Sequence, residues 1–191
     1  MKIHVPQTSV LRSSLEFENH LDRARPRGRD CETPVKIRDL EQGVSALGPQ
    51  TELIFGKDEA SFLARAGMAN HFSGKSKFSS IDFSAVPAMA PLGPSVDVFG
   101  DGSFWAISVP GHTDDDIAYM INGANPVLLT GDASHFKWAF QAGMAQHGWN
   151  KAGTERGYQS LEQLRAFARA YPGVTLVFGH EADPSPNNTV D

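Results

Sequence analysis

The sequence predicts an α+β fold. Three strand-like runs joined by tight turns fill residues 95–130, and an amphipathic helix over 160–171 leads into a further apolar run at 174–178. Glycine and proline number 18 and 12 in 191 residues, a supply of turn residues that suits a strand-containing chain. That length fits one ordinary domain with a substantial core.

Composition narrows the class. Apolar residues make up 40% and charged residues 20%, the balance of a soluble globular chain. The net charge of −5 gives no electrostatic reason to expect nucleic acid as a partner. No apolar run approaches the ~20 residues of a membrane span. Met1–Ser14 lacks the apolar centre of a secretory signal. The single cysteine, Cys31, excludes an internal disulfide, and together these features predict a cytoplasmic protein.

In order along the chain, residues 1–39 read as an irregular Arg-rich segment, 40–185 as the domain, and 186–191 as a frayed tail. Arg23, Arg25, Arg27 and Arg29 crowd a stretch with few apolar residues, which reads as a solvated basic loop. Leu40–Leu47 suits a short helix, Glu52–Phe55 a strand ending at Gly56, and Lys57–Ala66 a helix. Residues 67–94 show little periodicity and read as a long functional loop or lid containing His71. Val96–Phe99 and Phe104–Val109 flank Asp101-Gly102, and Ile117–Ile121 and Pro126–Thr130 flank Asn122-Gly123. Both dipeptides favour two-residue hairpin turns, because those turns need positive φ. The three runs from Phe104 to Thr130 therefore predict an antiparallel meander. Ser134–Gln141 suits a helix, and 143–157 reads as a glycine-containing loop with Trp149. Ser160 and Gln163 can form a capping box for the helix carrying Leu161, Leu164, Phe167, Ala168 and Tyr171. Pro172-Gly173 stops that helix before the buried strand Val174–Phe178.

Three residues of metal-ligand type follow strands directly: His112, Asp132 and His180, each preceded by glycine. Open sheets place chemistry where strands run out, and zinc takes histidine nitrogen and aspartate oxygen. Singly, each residue has a simpler reading. His112 and His180 suit surface loops, and Asp132 suits a helix N-cap. Their matching contexts favour one shared site. His135 lies close by, and Asp132, His180 and either His135 or His20 could hold a single ion. Phe136, Trp138 and Trp149 are candidate pocket walls, with core packing expected for at least two of them.

Val109–Thr113, Leu128–Ala133 and Val177–His180 together resemble the motifs of metallo-β-lactamase-fold hydrolases, in the family's order and spacing. Phe99–Gly102 and Gly131–His135 are similar to the lactonase-like bacterial branch. The resemblance implies a four-layer αβ/βα sandwich with a dinuclear metal site. By that resemblance His112 binds the first ion, Asp132 bridges both and serves catalysis, and His180 binds the second. The implied cofactor is zinc or another divalent metal, one or two ions. The implied reaction is hydrolysis of a small lactone, ester or amide by a metal-activated hydroxide.

The family's first motif, H-x-H-x-D-H, has no intact copy. One alignment puts Cys31, Thr33, Val35 and Lys36 in its functional positions. Another uses His20 and Asp22 but puts Arg23 where a ligand belongs. Asp114, Asp115 and Asp116 stand where members often carry a second histidine, and three adjacent acids read as a solvated turn. The N-terminal half is therefore expected to be incomplete. The alternative function is a degenerate or truncated member that keeps the fold but holds no metal.

Overall fold

The computed structural model of the protein describes residues 3–4, 47–59, 61, 72–148 and 150–180. His20, Asp22, Cys31, His71, Trp149, the Arg-rich segment, the helix expected at Leu40–Leu47, most of that at Lys57–Ala66 and the tail lie outside the described residues.

Among the described residues, eight strands form two sheets. The smaller sheet has the order β1-β2-β3, where β1 is Ile3–His4, β2 is Glu52–Gly56 and β3 is Lys77–Ile81. All its pairings are parallel. The larger sheet has the order β4-β5-β6-β7-β8: Ser95–Asp97, Phe104–Ser108, Ile117–Ile121, Val127–Leu129 and Thr175–Val177. β4 to β7 form the expected antiparallel meander, and β8 joins parallel to β7. Among the described residues, the α-helices are α1, Lys137–Ala142, and α2, Lys151–Ala170.

The larger sheet is buried on both faces. Ile107, Ala118, Met120, Leu128 and Leu176 face one core with Leu161, Leu164 and Phe167 of α2. Ala106, Tyr119, Ile121, Leu129 and Val177 face another, where Ile81 and Phe83 join them from the other half. Strand residues alternate between the two faces because successive side chains point opposite ways. β6 has all five residues buried, so it reads as an unbroken apolar run.

Several expectations are corrected. β3 lies inside the stretch read as a long loop. It is mostly exposed or half-buried and carries Lys77, Ser79 and Ser80, so its sequence lacks an apolar signature. β1, only two residues long, leaves no periodic pattern. Neither hairpin has a two-residue turn: the connections run over 98–103 and 122–126. In the first, positive φ falls on Gly100 and Gly102, whose amides donate to the Asp97 carboxylate. α1 starts later than predicted, because the residues before it are drawn into the site described below.

The largest correction concerns α2, which begins nine residues before the predicted start and runs through the supposed loop. Asn150 is its N-cap, accepting from the Gly153 amide at 2.8 Å. Ser160 is not a cap: its hydroxyl donates to the Pro110 carbonyl at 2.8 Å. Gly153 and Gly157 weaken the helical signal in the sequence, and tertiary contact requires Gly153, where a Cβ would lie 2.9 Å from the Gly111 carbonyl oxygen. A Cβ on Gly111 would lie 2.3 Å from the Gly157 Cα.

Candidate metal centre

The site forms where β5, β7 and β8 end. Asp132 sits in a 3-10 turn, Gly131–Ala133, directly after β7. Gly131 has φ +57°, which turns the chain sharply enough to bring Asp132 back over the strand ends. The N-caps of this turn and of α1 are Thr130 and Phe136, so the simpler reading of Asp132 as a helix N-cap does not apply. Thr130 secures the turn, with its amide on Val177 O at 2.9 Å and its hydroxyl 2.9 Å from Ser134 O.

Two backbone bonds place the histidines. The Gly179 amide donates to Ser134 O at 3.3 Å, and the His180 amide to His135 O at 3.0 Å. The segment after Asp132 is thus zipped to the segment after β8. The His135 and His180 rings lie 3.8 Å apart between centroids. His180 Nε2 is 3.3 Å and His135 Nε2 is 2.9 Å from the same oxygen, Asp132 Oδ1. His112 approaches from the opposite side, 4.0 Å from Asp132 Oδ2.

Asp132, His135 and His180 each present a donor atom within 4.8 Å of the other two. This is the one such group among the described residues. A tetrahedral ion with bonds of ~2.0–2.2 Å holds its ligand atoms roughly 3.4 Å apart, close to the spacings here. His135 Nε2 is buried and, despite its short separation from Asp132, lacks hydrogen-bond geometry. Two donors that approach without bonding each other suit a shared cation. The residues therefore fit a divalent metal through borderline nitrogen and hard oxygen. His135, a secondary candidate in the sequence, is in the group. His112 is adjacent but outside it.

Buried carboxyl groups gather behind the site. Asp116 is buried, and burial first, then Asp132 and Glu59, pushes its carboxyl well above the usual carboxylate range. Glu59 is also raised, again chiefly by burial, and the Thr113 side chain bonds it. One oxygen of each, Asp116 Oδ2 and Glu59 Oε2, is buried with no hydrogen-bond partner. The predicted solvated turn at 114–116 is thus corrected. Asp114 pairs with Arg156 at 2.7 Å, Asp115 accepts from the Asp58 amide, and Asp116 points inward. Glu59 carries no signal in the sequence beyond its place after β2.

Beside the histidines lies an aromatic shelf. Phe136 and Trp138 stack at 6.0 Å with an interplanar angle of 15°, and Phe136 is 6.3 Å from the His180 ring. Phe136 is half-buried and Trp138 is 59% exposed, so the core packing expected of these rings is not found. α1 begins at Lys137 with Phe136 as its first flanking residue, which leaves both rings beside the site.

No protein-family model and no curated protein matches the sequence. Solved structures do match. A quorum-quenching N-acyl homoserine lactone lactonase is 19% identical at TM-score 0.54, over 74% of this chain and 53% of that one. An N-acyl homoserine lactone hydrolase with N-hexanoyl-L-homoserine at its catalytic metal centre is 19% identical at TM-score 0.55, over 74% and 51%. A B. thuringiensis AiiA variant with N-decanoyl-L-homoserine at its active site gives the same figures. The chain spans about half the length of the structures it matches. The match shows the fold: α+β, of the metallo-β-lactamase type. Among the described residues, no helix is long and apolar enough to cross a membrane.

Proposed function

We propose that the chain is a metal-dependent hydrolase that opens a lactone or cleaves an ester or amide in a small molecule. The observation that carries this reading is the convergence of Asp132, His135 and His180, with two of their separations at 2.9 and 3.3 Å. Those three would hold one divalent ion, for which zinc suits the donor set. His112, on the far oxygen of Asp132, would serve a second ion. The chemistry such an ion supplies when bound is Lewis acidity toward a carbonyl oxygen and activation of water.

The chain's own residues do the rest. Asp132 fixes the relation between its two sides, because each oxygen faces a different histidine set. The buried carboxyls Asp116 and Glu59 make the surroundings favourable to a cation. Phe136 and Trp138 offer a flat apolar surface beside His180, suited to an apolar substituent of the substrate. That the matched structures are described as homoserine lactone hydrolases favours a lactone among these substrates.

A second reading is a degenerate member that keeps the fold without metal chemistry. It is favoured by the absence of an intact H-x-H-x-D-H motif. One experiment separates the two. Protein grown with added zinc, iron or manganese is assayed for bound metal and for hydrolysis of a simple lactone and an aryl ester. The hydrolase reading expects about one or two ions per chain and activity lost in Asp132→Ala. A folded, metal-free protein with no turnover would establish the degenerate reading.

A further inference from the structure

We propose that the position of His112 is set by helix α2, with Ser160 and Gly153 as its positioning residues. A metal-ligating histidine ordinarily fixes its ring by a hydrogen bond from its second nitrogen. His112 lacks that device, for its Nδ1 is buried without a partner. Its ring meets that of His135 only edge-on, at 5.7 Å between centroids. The direction of the His112 side chain is therefore inherited from the backbone of its loop.

That backbone is gripped on two sides. From α2, Ser160 donates to the Pro110 carbonyl at 2.8 Å, and Arg156 pairs with Asp114 at 2.7 Å. Ser160 is only 2% exposed, a hydroxyl placed on the apolar face of the helix for this one bond. Between these contacts Gly111 lies directly on Gly157, where an added Cβ would come within 2.3 Å of the Gly157 Cα. Gly148 and Gly153 crowd the Gly111 carbonyl, at 2.3 and 2.9 Å from their ideal Cβ positions. Two glycines inside a helix cost about 1 kcal/mol each relative to alanine. Gly153 makes the close approach of the His112 loop possible, whereas a Cβ on Gly157 would meet nothing nearer than 3.4 Å. From the other side, the segment after β2 closes on the same loop: Gly56 packs on Asp115, the Asp58 amide bonds it, and Glu59 bonds Thr113. The loop is held at its ends and backbone, and the one side chain left unanchored is His112.

The consequence for cation binding rests on the reading that His112 faces an ion, so the test has a part that needs no metal. In the metal-free full chain, the His112 ring signal is followed by carbon–proton correlation spectroscopy, with exposed His147 as an internal reference. Ser160→Ala and Gly153→Ala are expected to displace the His112 signal and leave His147 in place. Leu164→Ala, on the same helix but in the apolar core, destabilises the fold and should leave the His112 signal where it was. An unmoved His112 in both the Ser160 and Gly153 variants would overturn the proposal, as would equal movement in Leu164→Ala. Cobalt titration supplies the second part. Ser160→Ala should weaken binding about tenfold and add nothing in a His112→Ala background. A Ser160 effect undiminished in that background would show action by another route. A wild-type chain that binds no cobalt overturns the metal reading alone, since the ring signal still decides the position of His112.

Discussion

Asp116 is a carboxyl whose charged form burial strongly disfavours. It is buried beside Asp132 and Glu59, with one oxygen satisfied by the Ile117 amide at 2.9 Å and the other unpartnered. Its folded-state pKa lies above its ordinary value of 3.8. A carboxyl shifted upward binds its proton more tightly in the folded than in the unfolded chain. The stability it contributes is therefore complete below the unfolded pKa and is lost as pH rises through the folded one. Glu59 acts in the same direction. Metal-free protein should lose resistance to urea as pH rises above about 4, and Asp116→Asn should flatten that profile and be the more stable chain at neutral pH. Urea midpoints across the range check this, and parallel profiles for the two proteins would refute it. Trp138 makes a different prediction, about function. It is 59% exposed and stacked on Phe136, so Trp138→Ala should leave stability unchanged. An aromatic contact is worth about 0.5–1.5 kcal/mol. KM for an ester with an apolar substituent should then rise roughly threefold to tenfold, with little change for a small acetate ester.

At the scale of elements, α2 does two jobs with two faces. Leu161 and Leu164, both 0% exposed, bind it to the larger sheet. Gly153 and Ser160 bring it against the His112 loop. Leu164→Ala should cost about 2–5 kcal/mol in chemical unfolding, because the cavity is walled by strands that cannot collapse into it. What the sequence discloses about this helix follows the same division. Leu161, Leu164 and Phe167 recur at helical spacing and announce the sheet-facing stripe. Gly153 and Ser160 answer to a loop 40 or more positions away, so local rules misread them as a loop and a cap. The meander was legible because its strands are apolar, and β3 was not, because its side chains are mostly polar or exposed. Of the three residues singled out in the sequence, Asp132 and His180 each follow an apolar strand of the larger sheet and meet at its edge, joined there by His135, while His112 lies outside that group. Asp116 was hidden by its neighbours, since three consecutive aspartates look solvated unless the fold turns one inward.

For the whole molecule, the candidate metal centre lies at strand ends of the larger sheet, while Gly56, Asp58 and Glu59 of the smaller half brace its loop. Occupying the site should thus stabilise more than its immediate surroundings. A ligand bound only by the folded state adds stability that grows with the logarithm of its concentration over Kd, about 2.7 kcal/mol at a hundredfold excess. For a chain of this size that is a rise in Tm of roughly 5–10 °C. Zinc at that excess should produce it in the wild-type protein, and His180→Ala should reduce it. Asp132→Ala should abolish it, because that side chain contacts all three histidines. The metal-free Asp132→Ala chain provides the sharper contrast. Its loss of a carboxylate beside Asp116 removes repulsion, so it should melt no lower than metal-free wild type at neutral pH. A zinc response that persists in Asp132→Ala would place the ion elsewhere on the protein. A metal-free variant that melts well below the wild type would show that Asp132 holds the strand ends together by its own contacts, independently of any ion.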